Sequence, residues 1–312
     1  MRMLGLLALC AVTSAGAQMS NLPPEIGAGI AAIGPVWSGE VLKRTQALYR
    51  PVLQDQPRAG IRIVTDVAYG AHERQKLDFA HSEAPGQDLP VLVWIPGGGW
   101  GASNRNVEGL CCHNILAFFA RHGVLAIAAS YRVAPDPWPA GAADVGAAVA
   151  WARANARKYG GDPGRIYVFG HSAGAANVAS YLFDPAVHPP QGPGVAGAIL
   201  MSGAAYRVTR DALPPAGLKY FGADESRYAA RSSLQHVPRS KPLPVLLAYA
   251  EYDPVALSAP SLELAQALCA RDKKCPGMLY LRGHNHLSPS LSFNTRDEEL
   301  GKRVLGFMRA GH

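Results

Sequence analysis

The string Gly170-His171-Ser172-Ala173-Gly174 constrains the fold more than any other feature of the chain. An apolar, β-prone run, Arg165-Ile166-Tyr167-Val168-Phe169, enters it, and an alanine-rich, helix-prone run, Ala175-Ala176-Asn177-Val178-Ala179, leaves it. A serine held between glycines at such a junction predicts a tight strand-to-helix turn, with glycines where side chains would collide. The following helix would aim its N-terminus at Ser172, where exposed N–H groups stabilise developing negative charge. The turn therefore predicts a nucleophilic serine.

The rest of the chain supplies a setting for that turn. Residues 61–69 and 76–80 read as a first strand pair, and 90–95 and 124–131 are apolar runs suited to burial on both faces. Runs at 165–169, 195–201, 243–250 and 277–281 complete a set of eight strands. Helical patterns at 107–121, 141–159, 174–182, 260–271 and 297–310 lie between and after them. Continuous apolar strands alternating with helices predict an α/β fold: a mostly parallel sheet covered by helices on both faces. Residues 18–58 read as an N-terminal leader with helical patches, punctuated by Pro23-Pro24 and Pro35.

The first residues read as an export signal. Arg2 provides the positive start, residues 4–12 an apolar run too short to span a bilayer comfortably, and Ala15-Gly16-Ala17 a cleavage site before Gln18. Cys10 follows Leu9, where lipid attachment calls for a small residue, so cleavage after Ala17 is the expectation: 1–17 a signal peptide, 18–312 one domain, the protein periplasmic or secreted. The net charge of +7 becomes +6 once Arg2 leaves, since it is the one charged residue in that stretch. The remaining basic residues are scattered, which excludes a nucleic-acid-binding block, and no later run is long and apolar enough to span a membrane. Four of the five cysteines follow the cleavage site, and none combines with histidines at a zinc spacing. No cofactor or metal is expected. In an oxidising compartment Cys269 and Cys275 are expected to pair, while the adjacent Cys111 and Cys112, whose bonding would strain the backbone, are expected to be buried thiols or partners for another group. The oligomeric state is open.

A nucleophilic serine needs a base and a group that orients it, here in the chain order serine, acid, histidine. Asp253 lies just past the run Pro244-Val245-Leu246-Leu247-Ala248-Tyr249-Ala250, in the turn Glu251-Tyr252-Asp253-Pro254, so the carboxylate falls at the carboxyl end of a strand, where open α/β sheets place their functional groups. Glu251 is its neighbour and rival, and a helix-capping role is the alternative use of Asp253. The base comes from Gly283-His284-Asn285-His286, just past the last strand; His286 is favoured because Leu287-Ser288-Pro289-Ser290 after it can turn the ring back. The third part is Pro96-Gly97-Gly98-Gly99-Trp100 after the strand ending at Ile95, where three glycines let the backbone approach a substrate. The N–H groups of Gly98 and Gly99, with that of Ala173, form the candidate oxyanion hole.

Taken in order, Pro96-Gly97-Gly98-Gly99-Trp100, Tyr131-Arg132-Val133-Ala134-Pro135, the serine turn, Glu251-Tyr252-Asp253-Pro254 and Asn285-His286 resemble the α/β-hydrolase esterases related to hormone-sensitive lipase, especially their bacterial feruloyl-esterase-like and carboxylesterase branch. The resemblance covers roughly residues 60–310. It implies the α/β-hydrolase fold and a triad of Ser172, Asp253 and His286. It further implies a metal-free hydrolysis through an acyl-enzyme, acting on a small-molecule or polysaccharide-linked ester. It also implies a small cap-like insertion at 203–241, whose Tyr206, Tyr220, Phe221 and Tyr228, with Trp100, are candidates for a substrate pocket or for plain packing. One position departs from the pattern: the family's histidine ahead of the glycines is Pro96 here, so the loop must be braced differently. Arg132 and Asp144 are expected to form a structural pair. Two other functions remain open on the same residues, an amidase of the arylformamidase kind and an inactive hydrolase fold used for binding.

Overall fold

The structure, a computed structural model, describes residues 19, 21–54, 56–84 and 86–310; Cys10 and the expected cleavage site after Ala17 lie outside the described residues. Two helices, α1 (Pro24–Ile33) and α2 (Gly39–Gln54), precede the strand pair β1 (Ile61–Ala68) and β2 (Lys76–Ser82). Then follow β3 (Leu89–Ile95), α3 (His113–Arg121), β4 (Leu125–Ala129), α4 (Ala140–Asn155), β5 (Gly161–His171), α5 (Ala173–Phe183) and β6 (Gly197–Met201). Short helices α6 (Pro215–Phe221), α7 (Tyr228–Arg231) and α8 (Ser233–His236) occupy the 203–241 segment. The chain closes with β7 (Val245–Tyr252), α9 (Val255–Asp272), β8 (Gly277–Asn285), α10 (Ser288–Ser292) and α11 (Glu299–Ala310).

The eight strands form one sheet in the order β1-β2-β4-β3-β5-β6-β7-β8. Strand β2 runs antiparallel to both neighbours, and every later pairing is parallel. Alternation explains how a run such as Val91 to Ile95 is buried throughout. Val91, Val93 and Ile95 face the layer built by α4, α5 and α9, whereas Leu92 and Trp94 face the layer built by α3 and α11. Successive side chains of β4 divide in the same way, Leu125, Ile127 and Ala129 to one face and Ala126 and Ala128 to the other. The sheet thus carries a hydrophobic core on each face, and the carboxyl ends of β5 and β7 lie on one edge with the loops that follow them.

Several boundaries differ from expectation for local reasons. The pattern at 107–121 becomes helical only at His113; before it Val107 and Cys111 form a closed turn in which the Cys111 carbonyl accepts from the Val107 N–H instead of from a later helical N–H. Helix α9 starts at Val255 and passes through Pro260. Strand β8 runs on to Asn285, so His284 lies inside it. The leader forms two helices rather than patches: α2 buries Val41, Thr45, Tyr49 and Leu53, one stripe at four-residue spacing.

The cysteines give one agreement and one correction. Cys269 and Cys275 are bonded, as expected. Cys111 and Cys112, expected not to pair with each other, are also bonded to each other. The peptide between them is cis and their Cα atoms lie 3.2 Å apart.

Candidate active site

Ser172 sits where β5 turns into α5, and the turn is as tight as its glycines require. A Cβ at Gly174 would lie 2.3 Å from the Ile95 carbonyl oxygen, and one at Gly170 would lie 2.5 Å from the Ala175 Cα. Ser172 itself adopts φ 55°, ψ −126°, an unusual conformation for a residue with a side chain. Its N–H donates to the Met201 carbonyl and its carbonyl accepts from Ala176, so sheet and helix together hold it in place.

The acid and base expected from the sequence meet this serine. His286 Nε2 lies 2.9 Å from Ser172 Oγ, and His286 Nδ1 lies 2.8 Å from Asp253 Oδ1. A carboxylate only accepts, so Nδ1 carries the hydrogen and Nε2 is left to take one from the serine. Asp253 is not the helix cap it might have been, since neither of its oxygens bonds to α9; Oδ2 accepts from Ser202 Oγ at 2.6 Å and from the Ala250 N–H at 2.8 Å. Burial by itself would push the Asp253 carboxyl up. The hydrogen bond and charge of His286, with the bonds from Ser202 and Ala250, outweigh burial and hold it below the usual carboxylate range. An ionised, fixed Asp253 can orient the imidazole and stabilise its cation.

The rivals lie elsewhere. His284 is buried with its Nε2 3.1 Å from Asp297 Oδ2 and its Nδ1 2.9 Å from Ser288 Oγ. The exposed Glu251 accepts the Gly283 N–H, which ties β7 to β8. Two histidines two residues apart therefore serve two different carboxylates. Asp297 was not singled out in the sequence; burial would raise its pKa, but the His284 hydrogen bond and charge hold it below the usual range.

The glycine loop lies against the serine turn: a Cβ on Gly97 would come within 2.9 Å of the Ser172 Cβ. Gly98 has φ +145°, and a Cβ there would strike the Ala102 carbonyl oxygen at 2.2 Å, so this position needs glycine. Among the described residues, the N–H groups of Gly98, Gly99 and Ala173 donate to no protein acceptor, which leaves them for a ligand oxygen. The bracing that Pro96 cannot provide comes from Tyr131, whose hydroxyl donates to the Pro96 carbonyl at 3.0 Å. The Ala134 N–H donates to the Trp100 carbonyl at 2.9 Å, and the Gly101 and Ala102 N–H groups close back onto the Gly98 carbonyl. Arg132 and Asp144 do pair, the Asp144 carboxylate accepting from the Arg132 backbone and guanidinium and from Gln75.

The aromatic residues of the 203–241 segment, with Trp100, were candidates for a pocket or for plain packing, and in the structure they pack. Trp100, Tyr206, Tyr220 and Phe221 are at most 2% exposed; Trp100, Tyr220, Phe221 and Tyr228 fill a small core of their own, while Tyr206 joins the core on the α4, α5 and α9 face of the sheet. Tyr220 accepts the Gly141 N–H and donates to Asn177 Oδ1, and its ring and Phe221 pack on Trp100. These rings hold the segment against the body of the domain. Two further residues at the site escaped the sequence reading. His171 bonds to the backbone of His286, and Trp37, in the leader, packs against the His286 ring with centroids 4.8 Å apart.

A model of the carboxylesterase family matches residues 77–212, somewhat under half of the chain, from β2 through the serine turn into the cap segment. The esterase LipC of Mycobacterium tuberculosis is 41% identical over 110 residues, covering 35% of this chain and 27% of LipC. The chain's matches span 26–37% of the length of the first curated relatives. Among solved structures, esterase B from Lactobacillus rhamnosis superposes with a TM-score of 0.69 at 16% identity, over 92% of this chain and 96% of that one. The hyperthermophilic esterase from Pyrobaculum calidifontis gives 0.66 at 19% identity, over 93% and 98%. The fold is that of the α/β-hydrolases, and the chain resembles the esterases of the branch related to hormone-sensitive lipase.

Proposed function

We propose that the protein is a carboxylic-ester hydrolase that works through an acyl-enzyme. Ser172 Oγ attacks the ester carbonyl carbon while His286 Nε2 takes its proton, and Asp253 steadies the imidazolium. Negative charge gathers on the carbonyl oxygen, where the N–H groups of Gly98, Gly99 and Ala173 receive it. Collapse of the tetrahedral species breaks the bond to the alcohol oxygen, which leaves with the proton from Nε2. Water then attacks the acyl-serine with His286 again as base, releasing the acid and restoring Ser172.

The observation that carries this reading is the continuous chain from Ser172 Oγ through His286 to Asp253, at 2.9 and 2.8 Å, beside a glycine loop with unused N–H groups. The carboxylesterase match and the esterase relatives support ester substrates of small-molecule size. Export to an oxidising compartment is part of the proposal. It is supported by the charged and apolar N-terminal pattern ending at Ala17 and by two disulfides among the described residues.

The deciding experiment measures hydrolysis of p-nitrophenyl acetate and butyrate by the purified protein and by Ser172→Ala, with fluorophosphonate labelling of both. The proposal expects turnover and labelling in the parent and neither in the variant. Undiminished turnover in Ser172→Ala, or a folded parent that neither turns over nor labels, would overturn it.

A further inference from the structure

Trp37 lies in the turn between α1 and α2, its ring 4.8 Å from that of His286 at an interplanar angle of 74°. It is nevertheless 46% exposed, and Val36 beside it is 52% exposed. The turn is anchored rather than loose. Ser38 Oγ accepts the Val41 N–H at the start of α2, and α2 is bonded to the loop carrying the base through Thr45 to Asn285 and Tyr49 to Ser292. A large apolar surface is thus held in water beside the group that moves protons. Trp100, Tyr220, Phe221 and Tyr228, by contrast, are buried among themselves.

The mechanism says which part of a substrate meets that surface. The carbonyl oxygen is drawn towards Gly98, Gly99 and Ala173. The departing oxygen must lie at His286 Nε2 to receive its proton, so the group it carries runs alongside the His286 ring. A ring packed on His286 borders the alcohol side of the ester, and the face it leaves open suits a flat apolar group, which aromatic contact favours. We infer that Trp37, with Val36, is the specificity-determining surface for the alcohol portion, and that the enzyme favours esters of aromatic alcohols over those of small alkyl alcohols. This inference rests on the hydrolase reading above.

Ethyl, benzyl and 2-naphthylmethyl acetate test it, because they share one acyl group and their alcohols have similar acidity. The expected result is that the preference in kcat/KM for 2-naphthylmethyl over ethyl acetate falls about tenfold in Trp37→Ala, roughly the worth of one good aromatic contact. Trp37→Phe retains most of that preference. A second series, ethyl esters from acetate to hexanoate, should shift with acyl length in parallel for parent and variant. A changed acyl-length profile with an unchanged alcohol preference overturns the assignment by moving Trp37 to the acyl side, and no change in either series overturns it outright. A parent inactive on every ester removes the hydrolase reading, and this inference with it, so the two failures are distinct.

Discussion

His171, the residue immediately before the serine, donates its Nε2–H to the backbone carbonyl of His286 over 2.9 Å. The carbonyl only accepts, which fixes the tautomer: the hydrogen is on Nε2, and Nδ1 faces Ser290 Oγ at 3.5 Å. One side chain therefore ties the turn that carries the hydroxyl to the loop that carries the base. Positional errors of about 1 Å can cost on the order of a hundredfold in rate. His171→Phe, similar in shape but without the donor, should lower kcat roughly 10- to 100-fold while moving KM much less. His171→Gln keeps an N–H and should recover most of the loss. Steady-state kinetics on p-nitrophenyl acetate measure the split, and equal losses in the two variants would point to ring packing instead.

The paired histidines should separate by the kind of damage they cause. His286→Ala removes the base and should cut kcat by 10³-fold or more, roughly as in other triads, and because it leaves the buried Asp253 carboxylate without its partner it should also lower thermal stability. His284→Ala leaves the Asp297 carboxylate buried without its partner, at a cost of about 3 kcal/mol or more in stability. Turnover per labelled serine should change far less in the second variant. Thermal melts combined with fluorophosphonate titration read both quantities, and the opposite assignment of damage would make His284 the base.

Acid should destabilise the fold well before the carboxylates titrate. Burial, with the neighbouring His286 adding to it, lowers the His171 pKa from 6.5 to about 3. In the folded state this ring stays neutral where the unfolded chain has already bound a proton. Stability is therefore fully present above pH ~6.5 and is lost as pH falls towards ~3, by about 5 kcal/mol in total. Asp253 and Asp297, both depressed, add a further loss as pH drops through their folded values below the ordinary range near 4. Urea midpoints between pH 4 and 7 should fall with acid in the parent and fall less steeply in His171→Gln. Parallel slopes would refute the assignment to His171.

Tyr131 takes over the bracing of the glycine loop. Burial pushes its phenol up, so the hydroxyl remains a donor to the Pro96 carbonyl. Tyr131→Phe leaves that carbonyl unpaired, at a cost of about 1–3 kcal/mol in stability. It should also reduce kcat several-fold, because the N–H groups of Gly98 and Gly99 lose their fixed aim. Comparing melts with kcat on one ester tests both. A loss of stability without a loss of rate would separate the brace from the chemistry.

The parts of this fold that were legible in the sequence are those dictated by short-range pattern. Runs such as Val91 to Ile95 could be read because burial on both faces leaves them continuously apolar, and the serine turn because collisions at Gly170 and Gly174 admit no side chain. Asp253 was legible because it lies just past the end of a strand. The turn after His286 and the resemblance favoured it over His284, but what separates the two in the structure is which distant carboxylate each reaches, Asp297 or Asp253. The Cys111–Cys112 bond was missed because adjacency itself reads as an argument against a bond. The place of α2 was hidden because its buried stripe includes Thr45 and Tyr49, which read as polar or amphipathic and find their partners only in Asn285 and Ser292.

Those two bonds join residues 240 and 243 positions apart, so the segment bearing the imidazole is secured by the opposite end of the chain. Contacts of such long range carry the largest loop-closure cost and are favoured only late, after more local structure has formed. Strands β3 to β7 and the serine turn can assemble without them, but the base is clamped only once α2 has docked. Docking of α2 and competence of the triad are thereby coupled, since the helix that closes over the longest stretch of chain is the one that holds the base.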